Sequence, residues 1–499
     1  MAFRKFVQYF NPTGNMYQYI RSWAFWLIFI VVSNSLTRCA NIVPPSGGPR
    51  DSLPPVLLAV NPKDSSLHFK SKKVSFVFDE YVELDNVNDK LIVSPTLKRT
   101  PVVLAKLHTV TMEIRDTLQE NTTYTFNFAD AIRDINERNI VLDFQYVVST
   151  GDYLDSLQVT GHLINAESGR MDSNVAVMLY RGHEDSIVTK EKPVYYAKTK
   201  GDGSFRFKNI APGTYKIFAL KEEDRDLQYN QPTELIAFVE APIVLKETNL
   251  ADVNMLLFME TDSTIKPPPE PIDSADIEEI PEEKKKKLPK LQVTPTLEGG
   301  MQELPSPMRL TFNLPLRTLD SARMILGEDS TFTPVTFTSN MDSTHTKLSL
   351  DYPWKEGMPY RLVIPKDAAT DTAGQQLAKP DTISFKTKKS SDYAIFGVTL
   401  KVSDSTLHAI DNDSMHYVIQ LVQDKTIKYS GEAINGSWLQ KFITPGEYEV
   451  RVLLDTNGNG KWDRGVYFKN PKKQPERVIL LPGKQNLKAY WSVKPTIEI

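Results

Sequence analysis

The chain repeats itself at long range, and the repeat restricts the folds open to it. Gly203, Ser204, Phe205, Ile210, Pro212, Gly213 and Tyr215 meet Gly436, Ser437, Trp438, Ile443, Pro445, Gly446 and Tyr448, each 233 residues later. Seven matches in one register are the mark of a duplicated unit. Trp438 in place of Phe205 keeps a large aromatic at one position, as a core site requires. Upstream, Phe78 meets Phe312, Tyr124 meets Tyr360 and Asp134 meets Asp371, at offsets of 234, 236 and 237. A chain of 499 residues exceeds what one hydrophobic core supports, so each copy must supply cores of its own.

Within each copy the apolar period is two. Val74-Ser75-Phe76-Val77-Phe78 and Tyr124-Thr125-Phe126-Asn127-Phe128 alternate, which predicts half-buried strands. Phe205 and Phe207 share a strand face, Pro212-Gly213 supplies a turn, and Tyr215 opens the next strand. Apolar residues make up 40% of the chain and aromatics 10%, enough for folded cores, and 33 prolines favour short strands joined by turns. The expected architecture is all-β, four small sandwiches in two pairs at 54–152, 153–260, 291–390 and 391–499. Residues 261–290 read as a linker, because prolines and charges dominate and too little apolar surface is present to offset ordering entropy. Four domains in series predict a rod that exposes loops and strand edges rather than a deep pocket.

Two resemblances attach to these patterns. The order PPVLLAVNPKDSS, VSFVFDEYVEL and TYTFNFADAIRDINERN from Pro54 onward resembles bacterial Ig-like domains of the SbsA type. The Gly203-x-Phe205-x-Phe207 run with Pro212-Gly213-x-Tyr215 resembles transthyretin-like domains of the carboxypeptidase regulatory or Cna B type. That likeness implies small Greek-key sandwiches with no catalytic residues of their own.

The N-terminus reads as an address. Arg4, Lys5 and Arg21 precede the apolar run Trp23 to Val32, with no acidic residue among them. This is the layout of a secretory signal, and the run is too short to cross a bilayer, which takes ~20 apolar residues. Cys39, the only cysteine, follows it. Leu36-Thr37-Arg38-Cys39 resembles the lipobox of bacterial lipoproteins, in which the cysteine is lipidated and the peptide before it removed; Arg38 stands where Gly, Ala or Ser is usual. The alternative is a buried free cysteine after an uncleaved anchor. Residues 1–38 then form the signal peptide and 39–53 a lipid-anchored tether. Pro45-Ser46-Gly47-Gly48-Pro49-Arg50-Asp51 is similar to the tether of Bacteroidota lipoproteins that carry Ig-like domains. Surface lipoproteins of that group carry acidic residues after the cysteine, whereas Ala40-Asn41-Ile42-Val43-Pro44 follows here. That departure favours the periplasmic face of the outer membrane over the cell surface, which is the alternative.

Charge narrows the partners. Removing residues 1–38 takes away four basic and no acidic residues, moving the formal net charge from −3 to −7. No electrostatic footprint for nucleic acid is present. The one basic block, Lys284 to Lys287, directly follows Glu282 and Glu283 and is either a solvated linker or a contact for lipid headgroups or an acidic partner. With a single cysteine, no intrachain disulfide forms.

A catalytic set is not found. The seven histidines include no pair at i, i+4, and His-Glu-x-x-His, Gly-x-Ser-x-Gly and Walker motifs are missing. Asp79-Glu80 lies at a strand end and alternates faces, so it is no converging acid/base pair. The strongest metal candidate is Asp455-Thr456-Asn457-Gly458-Asn459-Gly460-Lys461-Trp462-Asp463. Oxygen side chains at positions 1, 3, 5 and 9, with glycine at 6, suit Ca²⁺. The loop resembles those of dockerins and Cna B-type repeats. Asp455, Asn457, Asn459 and Asp463 would ligate through side chains and Lys461 through its carbonyl. Val466 replaces the bidentate Glu of a full EF-hand. The alternative is an Asn/Gly hairpin turn held by Asx hydrogen bonds. The first copy keeps the alternation at Glu222, Asp224, Asp226, Gln228 and Asn230, but Leu227 replaces the glycine. Asp-Ser/Thr tripeptides recur, as at Asp116, Asp155, Asp320 and Asp342. They resemble the O-glycosylation acceptor of Bacteroidota envelope proteins and equally fit turn chemistry.

The expected function is a non-catalytic envelope lipoprotein, an accessory subunit of an outer-membrane protein assembly, needing no cofactor beyond possible Ca²⁺. The alternative is a surface module for glycan or another ligand, for which exposed aromatics near Trp354 and Trp462 would be the signature.

Overall fold

The computed structural model describes residues 23, 50–182, 184–221, 226–261, 289–402, 415–469 and 471–499. Cys39 and the leader apart from Trp23, the tether as far as Pro49, most of the linker with Lys284 to Lys287, and Glu222 and Asp224 of the first-copy loop lie outside them.

The molecule is all-β and its strands fall into four sandwiches. In the first domain Leu57–Asn61, Lys73–Phe78, Thr109–Glu113 and Val102–Lys106 form one sheet in that spatial order. Ile92–Ser94, Thr123–Ala129 and Phe144–Ser149 form the sheet opposite. Val74, Phe76 and Phe78 point inward from one sheet and Tyr124, Phe126 and Phe128 contribute from the other, all buried. The rings of Phe76 and Phe128 meet edge to face at 5.5 Å, a geometry that adds to area burial. The third domain repeats the plan. Val293–Pro295, Met308–Phe312, Lys347–Asp351 and Thr338–Met341 match the first sheet in order, and Ile325–Glu328, Pro359–Ile364 and Asp381–Thr387 match the second.

Duplicated residues have duplicated roles. The Tyr124 hydroxyl accepts the N–H of Gln119 at 2.9 Å, and that of Tyr360 accepts the N–H of Lys355 at 3.1 Å. Asp134 is buried and accepts N–H groups of Glu137, Arg138 and Asn139 at 2.6, 3.0 and 2.7 Å. Asp371, equally buried, accepts the N–H of Gln375 at 2.7 Å. Each carboxylate ties down the loop that follows its strand.

In the second domain Leu157–Asn165 runs antiparallel to Ser204–Ile210 and parallel to Leu250–Met259. Tyr195–Lys198, Ala176–Tyr180, Gly213–Lys221 and Leu235–Phe238 make the other layer. The fourth domain sets Ala394–Lys401 antiparallel to Ser437–Ile443 and parallel to Ser492–Val493 and Thr496–Glu498. Its other layer is Thr426–Glu432, His416–Gln423, Gly446–Asp455 and Arg477–Leu487. The 233-residue register carries through: the hydroxyl of Tyr215 donates to the carbonyl of Ala211 at 2.8 Å, and that of Tyr448 to Thr444 at 2.7 Å.

The chain is not the extended rod that four domains in series suggest. The first and second domains abut through Thr96 N–H to the Val194 carbonyl at 2.8 Å and Asn209 Nδ2 to Thr125 Oγ1 at 3.0 Å. The fourth domain folds back onto the second. The N–H of Val478 reaches the carbonyl of Ala166 at 2.9 Å, and Arg170 pairs with Glu449. Local patterning reports which face of a strand is apolar and not what covers it, so this long-range contact is invisible to it.

Candidate functional site

Strand Gly446–Asp455 ends on a buried carboxylate. Asp455 Oδ1 accepts the N–H groups of Asn457 and Gly458 at 3.1 and 2.8 Å, and Oδ2 that of Gly460 at 2.7 Å. The turn continues by the same device. Asn457 Oδ1 accepts from Asn459 N–H at 3.0 Å, and Asn459 Oδ1 from Lys461 N–H at 2.7 Å. Gly458 and Gly460 sit at φ of +71° and +74°, where a Cβ would be strained. The Nδ2 groups of Asn457 and Asn459 both turn to Asp463 Oδ2. The five proposed ligands are therefore close in space, with Asp455 already committed to three backbone donors. Lys461 is exposed.

A residue outside the motif completes the loop. Glu476 is buried. Its Oε1 accepts from Thr456 N–H at 2.8 Å and from the Thr456 hydroxyl at 2.7 Å, and its Oε2 accepts Asp463 N–H at 3.0 Å. Trp462 Nε1 donates to the Glu476 carbonyl at 2.7 Å. Nothing in the spacing marks Glu476, which lies 13 residues beyond Asp463 and immediately before strand Arg477–Leu487. Among the described residues no three of His, Cys, Asp and Glu converge so as to hold a metal ion. The loop offers two carboxylates and two amide oxygens, chemistry that suits a hard cation held weakly. A cation at Asp463 would displace the two amide nitrogens that now face it.

The far half of this loop docks on the second domain. Ala176–Tyr180 is buried along its whole length, unlike a strand with one face in water. Its inner face joins the domain core, and Met178 and Tyr180 join Phe218, Ile236 and Phe238 in a second apolar cluster on the outer face. Tyr467 fills that cluster, with its ring 5.8 Å from Phe218, 5.8 Å from Tyr229 and 5.2 Å from Phe238. Phe468 stacks on Tyr229 at 4.7 Å. The uninterrupted runs Val175 to Tyr180 and Ile217 to Leu220 are the sequence signal for a covered outer face.

Polar groups fix the docked loop. Glu260 Oε1 accepts the N–H groups of Tyr467 and Phe468 at 2.5 and 3.0 Å, and Oε2 accepts the Tyr229 hydroxyl at 2.7 Å. The Tyr467 hydroxyl donates to the Asp185 carbonyl. Gln474 Nε2 donates to the Phe238 carbonyl at 3.0 Å. Lys472 lies over the Tyr467 ring at 3.7 Å and 3.5 Å from Asp185 Oδ1. Burial pushes the Tyr229 hydroxyl pKa up, and its bond to Glu260 raises it further. Burial pushes Lys472 down, partly offset by Asp185. Gly465 passes so close to Phe258 that a Cβ there would lie 2.5 Å from the ring.

The first-copy loop is held by hydrogen bonds too. Asp226 accepts from Gln228 N–H at 2.7 Å and Asn230 Nδ2 at 2.9 Å, and Glu234 Oε2 accepts from Asn230 and Gln231 N–H groups at 3.1 and 3.2 Å. Leu227 keeps the left-handed backbone of its counterpart Gly460, at φ +59°.

The tryptophan expectation is corrected. Trp354 is buried among Tyr352, Tyr360 and Phe385 and bonds the Ser306 carbonyl, and Trp462 is half-buried under Glu476. Exposed apolar residues gather instead where the chain enters the first domain. Asp79 N–H bonds the Val56 carbonyl and Val82 N–H the Leu107 carbonyl. These bonds bring Val56, Tyr81 and Leu107, 56%, 49% and 61% exposed, to one end of that domain.

The bacterial Ig-like domain family matches residues 51–150 and 289–387, the first and third sandwiches. No curated protein matches the chain. Among solved structures, the major pilin subunit BcpA of Bacillus cereus is 11% identical, over 69% of this chain and 99% of the pilin, with a TM-score of 0.16. Native alpha-2-macroglobulin of Escherichia coli, spanning domains MG0-NIE-MG1, is 12% identical over 38% of this chain and 71% of that one, at 0.19. The N-terminal part of the bacterial S-layer protein SbsC is 15% identical over 42% and 45%, at 0.15. Likenesses at these scores carry no functional information.

Proposed function

We propose that a chain carrying two bacterial Ig-like domains, folded back so that its second and fourth domains lock together, is a non-catalytic accessory subunit of the cell envelope. In this proposal it is a lipoprotein tethered through Cys39 to the outer membrane, on the periplasmic face, and it holds a partner protein of that membrane. The observation that carries the proposal is the docked Tyr467 loop. A protein that fixes its own domains at a set spacing is suited to holding something else in place. The apolar end formed by Val56, Tyr81 and Leu107 supports it, because residues 50–56 enter there and a lipid on Cys39 would bring that end toward the membrane. The Asp455 loop enters the proposal as a weak calcium site in the ~0.1–1 mM range of extracellular modules.

Gentle solubilisation of envelopes and capture through a C-terminal tag tests this. The expected result is a stoichiometric outer-membrane protein that co-purifies and is lost in Cys39→Ala and in Val56→Glu/Leu107→Glu. A chain recovered alone from wild-type envelopes, or an identical partner set in the Cys39→Ala form, would sink the proposal.

A further inference from the structure

We infer that the cleft between the first and second domains is a binding site for an acidic saccharide. The cleft has a volume of about 450 Å³, within the ~300–1,000 Å³ of small-molecule sites. One wall is the outward face of the Ile92–Ser94, Thr123–Ala129 and Phe144–Ser149 sheet, which presents Ser94, Thr125, Asn127 and Gln145. The other wall comes from Tyr195–Lys198 and Ser204–Ile210, the two end strands of the second domain's sheet. The bond from Asn209 Nδ2 to Thr125 Oγ1 bridges the two walls.

The charge on these walls is one-sided. Lys90, Lys198, Lys200, Arg206 and Lys208 line the cleft against Asp130 and Asp143. Both acids are engaged, Asp130 by Lys90 at 3.1 Å and Asp143 by Lys200 at 3.4 Å, and Lys90 also holds Asp85 at 2.7 Å. Lys198 Nζ donates to the carbonyl of Asp89 at 3.1 Å. Arg206 donates from Nε and a terminal nitrogen to Gln158 Oε1 at 3.0 and 2.5 Å, a neutral acceptor that leaves its charge uncompensated. Lys208 follows two residues later on the same strand and so on the same face. A ligand carboxylate placed between Arg206 and Lys208 would gain charge-assisted hydrogen bonds.

The rest of the lining selects hydroxyl groups. Asn127, Gln145 and Asn174 both donate and accept, as adjacent sugar hydroxyls do. No glycine-rich phosphate cradle lines the cleft, which disfavours a nucleotide. An extended peptide would need a free strand edge, whereas the two end strands lie against each other and Tyr195–Lys198 also meets Ile92–Ser94.

Calorimetry on the full chain in detergent, with trigalacturonate as the acidic probe and maltotriose as its neutral counterpart, tests the site. The expected result is trigalacturonate binding that weakens about tenfold or more, about 1.4 kcal/mol, in Arg206→Gln/Lys208→Gln. Arg206 is exposed and Lys208 half-buried, so an unchanged melting temperature in the double variant shows that the fold is intact. Asn127→Trp, which fills the cleft, abolishes binding. Equal binding of maltotriose, no binding of trigalacturonate, an unaffected double variant, full displacement by equimolar inorganic phosphate, or tighter binding of an extended peptide would each overturn the inference.

Discussion

Asp134 and Asp455 are both buried carboxylates that hold a turn by accepting three backbone N–H groups. At Asp134 burial pushes the carboxyl pKa up, but the bonds from Asn139, Glu137 and Arg138 outweigh it and hold the group below its ordinary value. A carboxyl whose folded value is depressed stabilises the fold above the unfolded value of ~3.9 and loses that contribution as pH falls through the folded value. Asp134→Asn is therefore expected to cost roughly 1–3 kcal/mol near neutral pH and to flatten the acid side of a stability-against-pH curve. Urea titrations at pH 7 and pH 3 check it, and a variant that loses as much stability at pH 3 as at pH 7 would contradict it. Asp455→Ala leaves three N–H groups without their acceptor, so its melting temperature falls even in a chelator. Asp463→Ala removes a half-buried group that meets two side-chain amides, so its effect in chelator is smaller. If the loop holds calcium, about 1 mM of the ion raises the melting temperature of the parent chain and not that of Asp463→Ala. No shift in the parent chain up to about 10 mM removes calcium from the account.

At the scale of elements, alternation reports strands well and their covering poorly. Lys73–Phe78 alternates in sequence and in burial, and the 233-residue register reappears in the strands Ser204–Ile210 and Ser437–Ile443. Asp455, Asn457, Asn459 and Asp463 were legible as one turn because the motif is local. Glu476 was not, because its role depends on where the chain returns, and neither was Tyr467, whose neighbours Phe218, Tyr229 and Phe238 lie more than 220 residues away. The docked loop itself makes a sharp prediction. Gly465→Ala places a methyl group against the Phe258 ring, and Tyr467→Ala removes a buried aromatic, a change that costs about 3–5 kcal/mol in a packed core. Here the loss falls on the contact between domains. Each variant should make residues 456–475 cleavable by protease and enlarge the particle in small-angle scattering, while far-UV circular dichroism stays that of the parent. Tyr467→Phe keeps the ring and loses one hydroxyl bond to Asp185, so it should lie close to the parent, about 1 kcal/mol weaker. A Tyr467→Ala particle of unchanged size would show that the contact does not set the shape.

At the scale of the whole molecule the question is what joins the two copies. The polypeptide joins them through 262–288, a stretch rich in proline and charge with little apolar surface to drive packing. The fold joins them through the Tyr467 loop, the Arg170–Glu449 ion pair and the bond from Val478 to Ala166. These two connections make opposite predictions for a cut chain. A protease site placed within 262–288 divides the protein into a piece ending with the second domain and a piece beginning with the third. If the linker alone related the copies, the pieces would separate on cutting. The packed aromatic cluster, closed by Glu260 and by Lys472 over the ring, instead requires that they stay together as one particle through gel filtration at micromolar concentration. Tyr467→Ala is the discriminating variant, because it leaves the linker untouched. Its cut pieces should elute apart, while the uncut variant remains a single chain. Cut parent pieces that separate at once would make the linker the true joint and would remove the rigid spacing on which a scaffold role depends.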